Sequence, residues 1–408
     1  MKILIGIDEF SPTAEGGSNF VVQGLVKELS KEHRIAILTS HRYGKDFKKT
    51  IGKIDHYSLQ VNYLPRFRAW LSLYNPQVSS RIEKVLADFK PDIVHAHTIH
   101  MYLTYDLLRL AEPYTQKIFF TGHDVMPIFY SRLTQFRDED GDGIQDALDI
   151  KAHFWREWRQ NKLHYFPLRN IIIRHYLNSV KVITVSKALK EIYEANGVKV
   201  KKVIHNGVDL EDWKVSVGKI TKFKDKYQLN NKRILFLGGR IREDKGALQA
   251  VKLLAKLGDQ WILLVAGLRE SVLPMLNLAN KLKIRKQIMP LGFLAQEQLK
   301  VAYSASDIIL VPSICSDSFP NAVIEGMVCR KIVAATCFGG AKEVIKDGVT
   351  GILINPFDIG LTAKKIRKVL ENNKKKKTIS QKAYELIKKK FSIQKQVARY
   401  VELYERNH

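Results

Sequence analysis

A chain of 408 residues is long enough for two domains with full cores, and a hydrophobic fraction of 45% fits a soluble globular protein. Lysine and arginine total 67 against 41 acidic residues, so the net charge is +26 and an anionic partner or surface is expected. No apolar run reaches the length of a membrane span or a signal peptide, and no zinc-finger spacing, helix-turn-helix signature or single-strand aromatic platform is present. The first predicted element is a buried strand at Lys2–Ile7, followed by a flexible loop, Ser11-Pro12-Thr13-Ala14-Glu15-Gly16-Gly17. Phe20 to Leu29 has helical period, with Val21, Leu25 and Leu29 on one side. A second strand is predicted at Ile35–Leu38, a helix at Ile82–Phe89, and a loop feeding a strand at Pro91–His97. Lys117–Thr121 reads as a strand ending at Gly122-His123-Asp124, and Val180–Val185 as a further one. Ser186 caps a helix from Lys187 to Glu194, and Val203-Ile204 leads into His205–Asp209.

The pattern restarts after a polar stretch, Lys214–Asn231. Strands are predicted at Arg233–Leu237, Trp261–Ala266, Ile288–Leu291, Asp307–Val311 and Ile332–Ala335, with helices at Gly246–Leu257 and Ala295–Ser304. Gly339–Asp347 reads as a turn and short helix. This alternation indicates an α/β chain with two doubly wound, mostly parallel sheets, joined near residue 212. Ligands of such sheets bind beyond the carboxyl ends of the strands, where the Gly, His, Arg and Lys clusters of this chain fall.

The segment Asp317-Ser318-Phe319-Pro320-Asn321-Ala322-Val323-Ile324-Glu325 carries the most chemistry. An apolar run, Ala305 to Val311, leads into it, and the chain turns helical at about Ala322. Glu325 would sit on the first helical turn and Asp317 in the loop before it. Such a loop aims two carboxylates and several backbone N–H groups at one place. The N–H groups suit a diphosphate and the carboxylates suit hydroxyls, which together describe a nucleotide-sugar. A solvated loop with a capping Asp is the plain alternative.

With these landmarks the chain resembles the retaining glycosyltransferases of family four, over nearly its whole length and most closely in Gly238–Gly246 and Asp307–Pro356. The resemblance implies the GT-B fold: two Rossmann-like doubly wound domains facing across a cleft. Residues 1–212, completed by a C-terminal helix at 393–408, would form the acceptor-side domain, and residues 213–392 the nucleotide-sugar domain. That family carries a Glu, seven intervening residues and a second Glu; here Asp317 takes the first position and Glu325 the second. The resemblance implies that Glu325 holds the ribose hydroxyls and Asp317 those of the transferred sugar. Arg240 and Lys245 would neutralise the diphosphate and the charge growing on the leaving group. Gly16 and Gly17 match the N-terminal glycine loop, and His123 a histidine that acts on the sugar by hydrogen bonding. The donor set is completed by Gly239 and by Phe319, Pro320, Asn321 and Ala322, whose backbone surrounds the motif. A retaining transfer on one face of the sugar, with the departing phosphate oxygen taking the acceptor proton, is implied by the family.

Each residue also has an ordinary reading. Arg240 and Lys245 could be solvated, and Gly pairs mark common turns. His95, His97 and His100 raise zinc, but no fourth ligand is evident and no catalytic metal is expected. Cys315, Cys329 and Cys337 form neither a disulfide scaffold nor a metal pair, so a reducing cytoplasmic setting is the default. The basic excess makes the inner face of a membrane a second address, and nucleic acid is not an expected partner. Lys374–Lys377 and Lys388–Lys390 could equally be solvated helix ends.

The stretch from Asp138 to Asp149 departs from the family pattern. Asp138, Asp140, Asp142, Asp146 and Asp149 occupy loop positions 1, 3, 5, 9 and 12, with Gly143 at 6 and the Ile144 carbonyl at 7. This spacing is EF-hand-like, and the segment resembles the calcium repeats of thrombospondin type 3, so a structural calcium ion is expected there. An acidic loop without metal is the alternative. Beyond it, Trp155, Trp158 and Phe166 either pack in a core or meet a lipid surface beside Arg156 and Arg159. The expected activity is transfer of a hexose from a nucleotide diphosphate sugar to a glycan or lipid-linked acceptor. A glucan synthase-like enzyme with another acceptor, or a non-catalytic protein binding nucleotide-sugar or polyanion, are the rivals.

Overall fold

The computed structural model describes residues 1–10, 17–166 and 168–406. The chain forms two compact units: Met1–Leu133, Ile150–Asn206 and Ile393–His408 make the first, and Thr134–Asp149 with Gly207–Ser392 the second.

In the first unit β1 (Lys2–Gly6), β2 (Arg34–His41), β3 (Phe47–Ile51), β4 (Ile54–Gln60), β5 (Ile93–Ala96) and β6 (Ile118–Gly122) come first. The chain then enters the second unit as β7 (Phe136–Arg137) and β8 (Ala147–Leu148), and returns as β9 (Lys181–Thr184) and β10 (Lys202–Val203). The sheet order is β10-β9-β6-β5-β1-β2-β4-β3. All neighbours run parallel except β3, which pairs antiparallel with β4. Central strands are buried on both faces, so their runs of Ile, Leu and Val are continuous rather than alternating. The hairpin β3–β4 has no counterpart in the sequence reading. β3 is exposed throughout and carries Lys48 and Lys49, which interrupt its apolar pattern and blunt a sheet edge.

The C-terminal helix Ile393–Glu405 belongs to this unit. Tyr400, Leu403 and Tyr404 pack in one core with Ile3, Ile5, Leu25 and Phe119. The Tyr404 hydroxyl lies 2.6 Å from His95 Nδ1, and Thr121 Oγ1 lies 2.7 Å from His95 Nε2. His95 is thereby a satisfied core histidine, held down at about 3 by burial.

The second unit has β11 (Arg233–Gly238), β12 (Trp261–Ala266), β13 (Ile288–Gly292), β14 (Ile308–Val311), β15 (Ile332–Thr336) and β16 (Ile352–Ile354), in the order β13-β12-β11-β14-β15-β16. Chain order runs outward from β11 to one side and then from β14 to the other. The reversal between β11 and β14 is the topological switch point of a doubly wound sheet. The unit begins before residue 212: Val208 donates to the Phe391 carbonyl at 2.9 Å, and Asp212 pairs with the buried Lys300 ammonium at 2.8 Å.

The acidic stretch folds as the β7–β8 hairpin and packs in the second unit, not on the acceptor side where its sequence position suggested. The Phe136 ring sits 4.6 Å from that of Phe338 and 4.8 Å from that of Phe357. Asn355 donates to the Gln145 carbonyl at 2.8 Å. The expected calcium site finds no support here: among the described residues no group of three or more His, Cys, Asp or Glu could hold a metal ion. The hairpin uses its own carboxylates. Asp138 accepts from the Gly141 and Gly143 N–H groups, Asp142 from Ile144, and Asp146 from Glu139 and Asp140. Asp149 is buried and paired with Arg137 at 2.8 Å. Asp140 carries a carboxyl raised by the charge of Asp146 beside it.

Candidate functional site

The exits of β11 and β14 carry the motif residues, and the fold joins them at the switch point. β11 ends at Gly238, and Gly239 takes a positive φ of 97°, turning the chain out so that Arg240 is exposed beyond it. A short 3₁₀ turn, Glu243–Lys245, precedes Gly246 and the helix Ala247–Leu257. At Gly246, φ is 76° and an added Cβ would stand 1.9 Å from the Pro312 carbonyl oxygen. Only glycine lets the β11 exit lie this close to the β14 exit. Ile314 N–H also donates to the Asp244 carbonyl at 3.0 Å, stitching the two loops together.

This contact brings Lys245 to Asp317. The ammonium is 2.6 Å from the carboxylate, whose side chain is only 14% exposed. The Ser313 hydroxyl donates to the same oxygen at 3.1 Å. From the β15 exit, the Gly340 N–H donates to the Asp317 carbonyl at 2.9 Å, while a Cβ on Gly339 would lie 2.2 Å from that carbonyl oxygen. Asp317 is thus fixed by three strand exits.

The helix after the motif is Asn321–Val328, with Pro320 in extended conformation at its start. Phe319 is buried with its ring 6.0 Å from that of Phe391, so its side chain serves packing. Asn321 and Ala322 are partly exposed on the first turn. Glu325 is half-buried and accepts from the Tyr303 hydroxyl at 3.1 Å. Burial pushes its carboxyl up to about 7, against the Tyr303 bond, which favours the carboxylate. A carboxyl raised by burial at a switch point makes Glu325 a candidate functional position.

In the first unit, Gly17 opens the helix Gly17–Leu29 and Gly16 lies outside the described residues. His123 follows β6, with Nε2 2.9 Å from His97 Nδ1. Burial lowers its imidazole to about 4, so it is neutral at physiological pH. His97 is likewise held down by burial, and His100 Nε2 is 3.8 Å from Asp124.

Ser313, Tyr303, Gly246 and the Gly339-Gly340 pair were not assigned from sequence. The glycine pair after a strand was a usable signal. Tyr303 was not, since it sits on the helix Gln296–Ala305 and meets Glu325 only through packing.

Two family models match the chain: Glycosyltransferase Family 4 over residues 15–212 and Glycosyl transferases group 1 over residues 219–386. An uncharacterized glycosyltransferase of Methanocaldococcus jannaschii is 30% identical over 253 residues, which is 60% of this chain and 64% of that protein. Sucrose-phosphate synthase from Thermosynechococcus elongatus superposes with a TM-score of 0.78 at 20% identity, covering 99% of this chain and 98% of that one. Anabaena HepE in complex with UDP-glucose gives a TM-score of 0.72 at 18% identity, covering 99% of both chains. The two Rossmann-like units, their agreement with these structures and the two family matches lead to one conclusion: the chain is a family-4-like glycosyltransferase with the GT-B fold.

Proposed function

We propose that the protein transfers a hexose from a nucleotide diphosphate sugar to a glycan or lipid-linked acceptor, with retention at the anomeric carbon. The observation that carries this reading is the Lys245–Asp317 pair at the switch point, with the raised Glu325 carboxyl on the helix that follows. In this reading Glu325, ionised, accepts from the ribose hydroxyls. Asp317 accepts from hydroxyls of the transferred sugar. Lys245 exchanges part of its contact with Asp317 for the diphosphate, and Arg240 adds a second positive charge as the leaving group forms. The Gly239 turn and the backbone of Phe319, Pro320, Asn321 and Ala322 border the donor. Gly16 and Gly17 keep the N-terminal glycine-loop role, and His123 contributes a neutral hydrogen-bonding imidazole.

HepE with UDP-glucose makes that donor the first to try. The test incubates the purified chain with UDP-, ADP- and GDP-hexoses and a panel of glycan and polyprenyl-linked acceptors. Released nucleoside diphosphate is measured, and the anomeric configuration of the product is read by NMR. Transfer with retention is expected. Inverted product would overturn the stereochemistry, and neither binding nor cleavage of any donor would overturn the enzymatic reading.

A further inference from the structure

We infer that the first unit carries a preformed docking surface for an anionic lipid bilayer, built from two aromatic-basic segments. The chain has five tryptophans. Trp213 and Trp261 are buried, whereas Trp70, Trp155 and Trp158 are 50%, 72% and 48% exposed, and all three belong to these segments. The first segment runs through Leu64, Phe67 and Trp70; the second is the helix Phe154–Asn161 with Phe154, Trp155 and Trp158 exposed. Exposed large apolar side chains scattered singly mean little, but these six are grouped on two segments that share one base, as an interaction surface requires.

The two segments stand on one base. Ala69, Tyr130 and Tyr165 form a small core with Phe166 against it, and the Trp70 ring stacks on Phe166 at 3.9 Å. Arg68 lies over the Tyr130 ring and donates to the Tyr130 carbonyl at 2.7 Å. From the other segment, the buried Glu157 carboxylate accepts from the Tyr130 N–H at 3.0 Å. Glu157 therefore turns inward. Phe154 and Trp158 neighbour Trp155 edge-on, at 4.8 Å and 6.4 Å between centroids, on the outer side. The aromatic rings are held in place before any partner arrives, which removes much of the ordering cost of binding.

Charge selects the partner. Residues 62–74 contain no carboxylate, and residues 151–171 contain only Glu157, which is consumed inside. Arg66 and Arg159 are exposed beside the rings, and Arg156 is partly exposed. Trp and Phe seated at headgroup level, flanked by arginines, match the interface of an anionic leaflet. A second copy fits badly: it would bring two chains of net charge +26 together at a surface with no carboxylate to pair with.

The test uses the full chain and does not require turnover, so it stands or falls separately from the sugar-transfer reading. Co-sedimentation is measured with phosphatidylcholine vesicles and with phosphatidylcholine vesicles containing phosphatidylglycerol, at low and high salt. Binding only to the anionic vesicles, weakening as salt rises, is expected. Trp155→Ala/Trp158→Ala and Arg66→Gln/Arg159→Gln should each lower the partition by roughly tenfold or more. Unchanged thermal unfolding would show both variants folded, because these side chains are exposed. Absence of binding to the anionic vesicles, full binding by the tryptophan variant, or concentration-dependent dimerisation abolished by that variant would each overturn the proposal.

Discussion

Lys245 Nζ lies 2.6 Å from Asp317 Oδ2, although the two residues are 72 positions apart. Their loops leave adjacent parallel strands, β11 and β14, at the point where the winding of the sheet reverses. On the reading proposed above, this pair would set its positive charge toward the diphosphate and its carboxylate toward a sugar hydroxyl.

Lys245→Ala and Asp317→Asn should each lower kcat/KM by about a hundredfold or more, the usual loss when a group facing developing charge is removed. The double variant should lose much less than the product of the two, because each residue orients the other. Steady-state kinetics of the three variants checks this. Additive losses would show two independent contributions.

Donor binding should weaken as pH falls through about 7, where the Glu325 carboxyl gains its proton and stops accepting from ribose hydroxyls. His123, held at about 4, stays neutral across that range and adds no step. The sign for stability is the opposite. A carboxyl whose folded value is raised from 4.5 to about 7 favours folding most below 4.5, and that contribution is lost as pH rises through 7. Glu325→Gln should remove this slope and stabilise the protein above neutral pH by about 2 kcal/mol, allowing for partial exposure. Asp8, buried and raised to about 7, slopes the same way in both proteins, so the difference in urea unfolding between them reports Glu325 alone.

Gly246→Ala should be severely destabilising, by roughly 3 kcal/mol or more, since φ is positive and the new methyl meets a carbonyl oxygen that cannot move without shifting β14. Gly239→Ala meets nothing within 4 Å and should cost only about 1 kcal/mol of backbone strain. Chemical unfolding separates the two, and equal losses would mean that the Pro312 contact is not what demands glycine.

The β7–β8 hairpin should hold its place without metal. Neither calcium nor a chelator should shift the unfolding temperature, because its carboxylates are taken up by backbone N–H groups and by Arg137. Phe136→Ala should lower stability by roughly 2 kcal/mol through lost packing on Phe338 and Phe357. A rise in unfolding temperature with calcium would show that the loop rearranges to bind it.

What the sequence determined by itself was local. The alternation of apolar runs with helical periods set two parallel, doubly wound sheets, because a strand buried on both faces reads as continuous Ile, Leu and Val. The same pattern put Arg240, Lys245, Asp317 and Glu325 at strand exits or just inside the following helix. Calcium spacing from Asp138 to Asp149 was equally visible, yet spacing does not say where carboxylate oxygens point, and here they turn to the hairpin's own N–H groups. The tertiary structure alone decided the rest. It brought Ser313 and Lys245 onto Asp317, set Tyr303 under Glu325 and moved residues 134–149 into the second unit. It also left Trp155 and Trp158 outside. An aromatic side chain looks the same in sequence whether it is covered or bare. Only the packing of distant segments, here Tyr130 against Arg68 and Glu157, determines which face of its helix meets the core.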